Sequence, residues 1–158
     1  MTDPDAVYAS QVPLDRAIMD LCRSWARARS KDPRTKVGAA VYAPRDGSIH
    51  LGYNGFPAGF ADLQQRWDNR DASDPMAKYA FVRHAEGNAI LKALKALGAL
   101  DGCTLYVTHF PCHACMKDFI SDSGIRRVVY EDAYPPDPVT PMIARELGIV
   151  LEQLPASA

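Results

Sequence analysis

An α/β fold in three layers, with a central five-stranded mixed sheet between helices, is predicted by three observations. Residues 37–53 read as two short apolar runs around Pro44-Arg45-Asp46-Gly47, the pattern of an antiparallel hairpin. From residue 104 onward, strand-like runs alternate with helical periodicity, which implies right-handed crossovers and parallel pairing. Two further stretches, near residues 14–28 and 82–97, carry apolar stripes at helical spacing.

Taken in order, Leu14, Ala17, Ile18, Leu21, Trp25 and Ala28 form the first helix, with Pro13 suited to its first turn. Ser30-Lys31-Asp32-Pro33 ends it, because the residue before a proline resists helical dihedrals. The hairpin strands are 37–43 and 48–53. Residues 55–78 show little periodicity and exceed an ordinary connection, which marks the segment as functional or disordered, and Trp67 in its middle implies docking on this domain or on a neighbouring subunit. The second helix covers 82–97, with Ala85, Ala89, Ile90, Ala93 and Leu94 on its apolar stripe. Strand 104–108, helix 112–123, strand 126–130, helix 140–147 and strand 149–152 complete the chain, and Pro135-Pro136-Asp137-Pro138 reads as a loop.

At 158 residues, 47% hydrophobic and 23% charged, the chain is expected to form one domain over 1–158. A net charge of −1 supplies no general basic field, so a small substrate is expected rather than a nucleic-acid polymer. No run approaches the roughly 20 apolar residues of a membrane helix. The acidic start Met1-Thr2-Asp3-Pro4-Asp5 is unlike a signal peptide, which places the expectation in the cytoplasm. Cys22 and Cys103 fall in apolar patterns and read as buried core thiols rather than a disulfide.

The chemistry concentrates in His84-Ala85-Glu86 and Pro111-Cys112-His113-Ala114-Cys115. His84, Cys112 and Cys115 make a three-ligand zinc set, which leaves the fourth tetrahedral position for water, the mark of a catalytic rather than a structural site. Cys112 and Cys115 lie three apart at a helix start, where unpaired amides favour thiolate. His109, on the other side of Pro111, remains open as a local ligand. Glu86 is free to carry a proton from water to a substrate nitrogen, the relay that hydrolytic deamination requires. Competing readings are a Cys112–Cys115 redox pair and, for Glu86, a solvated helix-face charge.

On these residues the chain resembles the deoxycytidylate (dCMP) deaminases of the cytidine deaminase-like superfamily. The likeness covers roughly 30–134 and includes Ser30-Lys31-Asp32-Pro33, Val37-Gly38-Ala39, Gly52-Tyr53-Asn54-Gly55-Phe56-Pro57 and Gly124-Ile125. His-x-Glu with Pro-Cys-x-x-Cys is the zinc deaminase signature. The resemblance implies one zinc per chain on His84, Cys112 and Cys115, Glu86 as proton shuttle, and conversion of dCMP to dUMP and ammonia as a source of thymidylate precursor. It implies Asn54 as a sugar contact, against the alternative of a plain turn residue. It also implies a homo-oligomer, often a hexamer, with dCTP and dTTP as effectors.

A monophosphate needs cationic or amide donors, and Ser30, Lys31 and Arg34 are the nearest supply, against the reading of solvated loop charges. Tyr130 and Tyr134 are expected at the base or phosphate pocket, or in simple packing. Deamination of another cytosine nucleoside, a free base or an adenosine in tRNA, and a non-catalytic zinc-containing nucleotide-binding subunit, stand as alternatives.

Overall fold

The computed structural model describes residues 12–156, so the acidic opening Met1-Thr2-Asp3-Pro4-Asp5 lies outside the described residues. The order is α1 (Leu14–Arg29), β1 (Gly38–Ala43), β2 (Ser48–Tyr53), α2 (Gln64–Asp68), α3 (Ala85–Leu97), β3 (Thr104–His109), α4 (His113–Cys115), β4 (Arg127–Asp132), α5 (Val139–Leu147) and β5 (Val150–Gln153). The strands form one five-stranded sheet in the order β2-β1-β3-β4-β5. β1 pairs antiparallel with β2 and β3, while β3–β4 and β4–β5 are parallel. This is the mixed sheet that the hairpin and the later strand-helix alternation predict.

Strand alternation builds the two cores. Ala40, Tyr106 and Val129 face Ile18, Met19 and Cys22 of α1. Their neighbours Ala39, Val41, Leu105, Val107 and Val128 face the other layer, with Ala85, Ala89 and Ile90 of α3, Met116 and Ile120 after α4, and Ala144 of α5. The sheet is therefore covered on both faces, which is why its central strands read as near-continuous apolar runs. Cys22 and Cys103 are free and buried, as the apolar pattern predicts. Among the described residues, no helix is long and apolar enough to cross a membrane.

Two helices differ from their sequence-predicted bounds, both at the site. The helix expected from residue 82 begins at Ala85, because the N–H and C=O of Arg83 are taken by Gly55 at 2.8 and 3.1 Å in an isolated antiparallel bridge. The helix expected over 112–123 is α-helical only through His113–Cys115 and then widens into a π turn, Met116–Ile120, closed by the Ser121 N–H on the Met116 carbonyl at 2.9 Å. Such wide turns recur at functional sites.

The long 55–78 segment docks on its own domain. Trp67, in α2, is 3% exposed and stacks on Phe56 at 4.0 Å and 14°. Phe60 and Phe81 extend the cluster at 5.2 Å, and the Arg66 guanidinium lies 4.1 Å over Phe60. Offset and edge contacts of this kind, added to the buried area, anchor a segment that has little secondary structure of its own.

Close backbone approach fixes α3 on the sheet. A Cβ at Gly52 would stand 2.5 Å from the Ala89 nitrogen and 2.6 Å from the Ala85 carbonyl oxygen. Both are backbone atoms and cannot swing aside. Gly52→Ala is expected to destabilise the fold by about 2 kcal/mol, within the range for overpacked sites; a denaturant midpoint equal to that of the wild type would show that α3 does not rest on β2 in this way.

Candidate metal centre and active site

His84 is the residue just before α3, held extended at φ −68°, ψ 156° by the Gly55–Arg83 bridge immediately upstream. Cys112 holds the same place before α4, and its sulfur accepts the Cys115 N–H at 3.5 Å. His84 Nδ1 lies 3.4 Å from Cys112 Sγ and 3.3 Å from Cys115 Sγ. All three donor atoms fall within 4.8 Å of one another. One imidazole nitrogen and two sulfurs converging on a point fit zinc, and the open side faces a cavity lined by His84, Glu86 and Cys112. His109 lines the cavity but does not join the cluster, so the local-ligand alternative is not what the structure holds.

Two electrostatic features follow. A hydrogen bond from Cys115, reinforced by His84, holds the Cys112 thiol down at about 4. Glu86, in the first turn of α3, is 4% exposed, and burial pushes its carboxyl up to about 7 against the opposing pull of His84. Glu86 is thus a buried carboxyl on the cavity wall rather than a solvated helix-face charge.

The cavity is about 320 Å³ and opens over the carboxyl-terminal end of β3. Asn54 lines it and is 7% exposed. Its Oδ1 accepts the Ser30 hydroxyl at 2.8 Å and the Val37 N–H at 2.9 Å, and its Nδ2 donates to the Thr35 carbonyl at 2.8 Å. One amide N–H is left to point at a ligand. Asn54 therefore does more than form a turn: it fastens the 30–37 segment to the end of β2.

The expected phosphate cluster is not at the cavity. Ser30 is buried behind Asn54 as its brace. Lys31 is exposed and pairs with Asp62 at 2.7 Å, and Arg34 is exposed outside the lining. The loop turns on Asp32, whose Oδ1 accepts the N–H groups of Arg34 and Thr35 at 2.9 and 3.1 Å, so the flanking cations splay outward. Tyr130 sits one layer back, edge-on to the lining residue Phe110 at 4.9 Å and 90°. Tyr134 is 70% exposed and outside the lining, beside Pro135, which is within it.

The cations that do line the cavity are Arg70 and Lys78, from the far end of the docked segment. Both pair with Asp32, Arg70 through Nη2 at 2.7 Å and Lys78 through Nζ. Asp32 is 1% exposed. Burial alone would raise its carboxyl, but the Lys78 hydrogen bond, the two backbone N–H groups and the Lys78 charge outweigh this and bring it down to about 2. Local spacing gives no sign of this triad, whose members lie far apart in sequence; only Asp32 falls within the Ser30-Lys31-Asp32-Pro33 motif.

A folded-state carboxyl below its ordinary 3.8 contributes stability that is complete above about pH 4 and is lost as pH falls toward 2. Asp32→Asn should therefore cost roughly 2–3 kcal/mol at pH 7, with Lys78 left short of its counter-charge. The gap between variant and wild type should close between pH 4 and pH 2. Chemical unfolding across that range checks this, and a gap independent of pH would show that the charge of Asp32 is not what stabilises the loop.

Residues 13–132 match the model of the cytidine and deoxycytidylate deaminase zinc-binding region. The chain is 42% identical over 102 residues to a probable deoxycytidylate deaminase of Caenorhabditis elegans, covering 65% of this chain and 49% of that protein. It is 39% identical over 102 residues to the deoxycytidylate deaminase of Pongo abelii, covering 65% and 56%. The chain thus spans about half the length of these curated relatives. Among solved structures, it is similar to the dCMP deaminase of the cyanophage S-TIM5 in complex with dCMP and dUMP, with a TM-score of 0.70 and 29% identity over 98% of this chain and 100% of that one.

Proposed function

We propose, for a chain that belongs to the cytidine and deoxycytidylate deaminase zinc-binding family, that it hydrolyses dCMP to dUMP and ammonia. The observation that carries this reading is the junction of two features in one cavity: the His84, Cys112 and Cys115 cluster with Glu86 at one part, and Arg70 with Lys78 at another. The first suits attack on an amino-bearing ring carbon, the second an anionic group on the same molecule.

In this reading His84, Cys112 and Cys115 hold one zinc ion, whose Lewis acidity, when bound, makes water nucleophilic near neutral pH. Glu86 would take a proton from the attacking water on its carboxylate and pass it to the ring nitrogen beside the amino-bearing carbon. It would then take the remaining proton from the hydroxyl added to that carbon and deliver it to the departing amino group, so that a carbon–oxygen double bond replaces the carbon–nitrogen bond and ammonia leaves. Asn54 offers its spare amide N–H to the sugar. Arg70 and Lys78 take the phosphate in place of Lys31 and Arg34, the charge of each shared with Asp32. Both thiols must stay reduced, which suits the cytoplasm.

A second cavity, about 220 Å³, is lined by Tyr53, Phe56, Arg83, Asn88, Lys92 and Lys95. Three cations beside two aromatic rings suit a nucleotide, which supports this cavity as the site proposed for the dCTP and dTTP effectors. Homo-oligomeric assembly, with the hexamer favoured, belongs to the same proposal; light scattering that gives a monomer at all protein concentrations would remove it.

One assay tests the chemistry: ammonia release from dCMP, deoxycytidine and cytidine, with and without dCTP or dTTP, on protein of measured zinc content. The expected result is turnover selective for dCMP, one zinc per chain, and an effector response that Lys92→Ala abolishes. Glu86→Gln should lower kcat by about 10²- to 10⁴-fold with zinc retained. Arg70→Ala should raise KM for dCMP by roughly tenfold or more and leave deoxycytidine within about twofold. Zinc-loaded protein inert on every cytosine substrate would overturn the reading in favour of a non-catalytic nucleotide-binding subunit.

A further inference from the structure

His109 lines the cavity, and neither the metal cluster, the proton relay nor the proposed sugar and phosphate contacts use its side chain. His109 is the last residue of β3, on the strand face shared by Leu105 and Val107, so its ring turns toward the α3 layer and lines the cavity. Its Nδ1 lies 3.0 Å from Thr108 Oγ1. That hydroxyl oxygen already accepts the Gly38 N–H at 3.1 Å, and Thr108 is buried.

These contacts fix the tautomer. If Nδ1 carried the proton, the Thr108 oxygen would accept from both sides and its own buried hydrogen would have no acceptor, at a cost of about 1–3 kcal/mol. The satisfied arrangement runs from the Gly38 N–H to Thr108 Oγ1, and from the Thr108 hydroxyl to His109 Nδ1. Neutral His109 then carries its proton on Nε2. Among the described residues Nε2 has no hydrogen-bond partner. A fixed donor is thus presented to the cavity with nothing of the protein to receive it.

We propose that His109 is a substrate-contacting, specificity-determining residue that donates from Nε2 to an oxygen of the bound nucleotide. This rests on the reading of the cavity as a nucleotide site. The acceptor is an oxygen of the phosphate or of the sugar, and the two sources separate on a substrate that lacks the phosphate. The backbone of β1 sets the donor through Gly38 and Thr108, so the ring direction comes from the sheet and not from the loops around the cavity.

The test compares wild type with His109→Leu, His109→Gln and His109→Asn, by turnover of dCMP and deoxycytidine and by equilibrium binding of dUMP to the zinc-loaded protein. Leu should raise KM for dCMP and weaken dUMP binding by roughly five- to tenfold with kcat little changed, while its melting temperature falls because the Thr108 hydroxyl loses its acceptor. Gln, whose amide nitrogen reaches the place of Nε2, should restore both to within about twofold. Asn, which reaches only as far as Nδ1, should not. A penalty present with dCMP and absent with deoxycytidine assigns the contact to the phosphate; a penalty on both assigns it to the sugar.

Leu with KM and dUMP affinity within about twofold of wild type overturns the proposal, as does Asn restoring as well as Gln, which would reduce His109 to a brace for Thr108. Wild type that binds dUMP but deaminates nothing overturns the reaction and leaves the contact to be read from the binding ratios. Wild type that neither binds nor turns over removes both.

Discussion

The approach of α3 onto β2 at Gly52, backbone against backbone, is the constraint on which the site depends. With no side chain between them, the first turn of α3 has one distance from the sheet, and the Gly55–Arg83 bridge stops the helix from starting earlier. His84 is consequently held extended at the helix mouth, and Glu86 enters the wall of the cavity two residues later. On the other side, β3 ends beneath α4, so Cys112 and Cys115 arrive from a strand in the middle of the sheet. A metal cluster assembled from two segments tolerates little relative motion, and here the rigidity comes from a glycine rather than from the ligands themselves.

A second organising contact governs charge. Asp32 gathers Arg70, Lys78 and two backbone N–H groups around one buried carboxylate, and so joins the turn after α1 to the long segment after β2. Two cations on one anion leave a net positive charge facing the cavity, which an incoming anion can satisfy without any cation having been buried alone. Removing a single partner of such a triad costs more than the triad contributes, because a charge is left desolvated. The aromatic cluster of Phe56, Phe60, Trp67 and Phe81 is what holds the far partner in reach.

How much of this is legible in the sequence follows from how local each signal is. The hairpin, the parallel half of the sheet and the pairing of His84-x-Glu86 with Cys112-x-x-Cys115 are written in short-range spacing, and sequence reasoning recovers them. The start of α3 is not, because Arg83 looks helical until Gly55 takes its backbone groups. The expected phosphate cluster shows the limit best. Lys31 and Arg34 are the cations nearest the Asp32 turn in sequence, yet that turn points them outward, while Arg70 and Lys78 reach inward only because a tryptophan thirty-odd residues along the chain docks its segment. Side-chain direction at an irregular turn is a tertiary property, and residue types alone do not carry it.

The division of the cavity also separates two kinds of binding. In the proposed reaction, contacts from Arg70, Lys78 and Asn54 would be the same before and after the bond change, so they would hold the substrate without favouring its transition state. Glu86 would act only on atoms whose protonation changes, which assigns its proposed contribution to the chemical step. Discrimination among cytosine compounds would then depend on the first group, and discrimination between a nucleotide and a nucleic-acid polymer on where those cations lie. They are paired and set inside a cavity of about 320 Å³, on a chain of net charge −1. A polymer would need the phosphate charge met along an exposed path, whereas these cations share one cavity with the metal cluster, which on the proposed reading favours a single nucleotide.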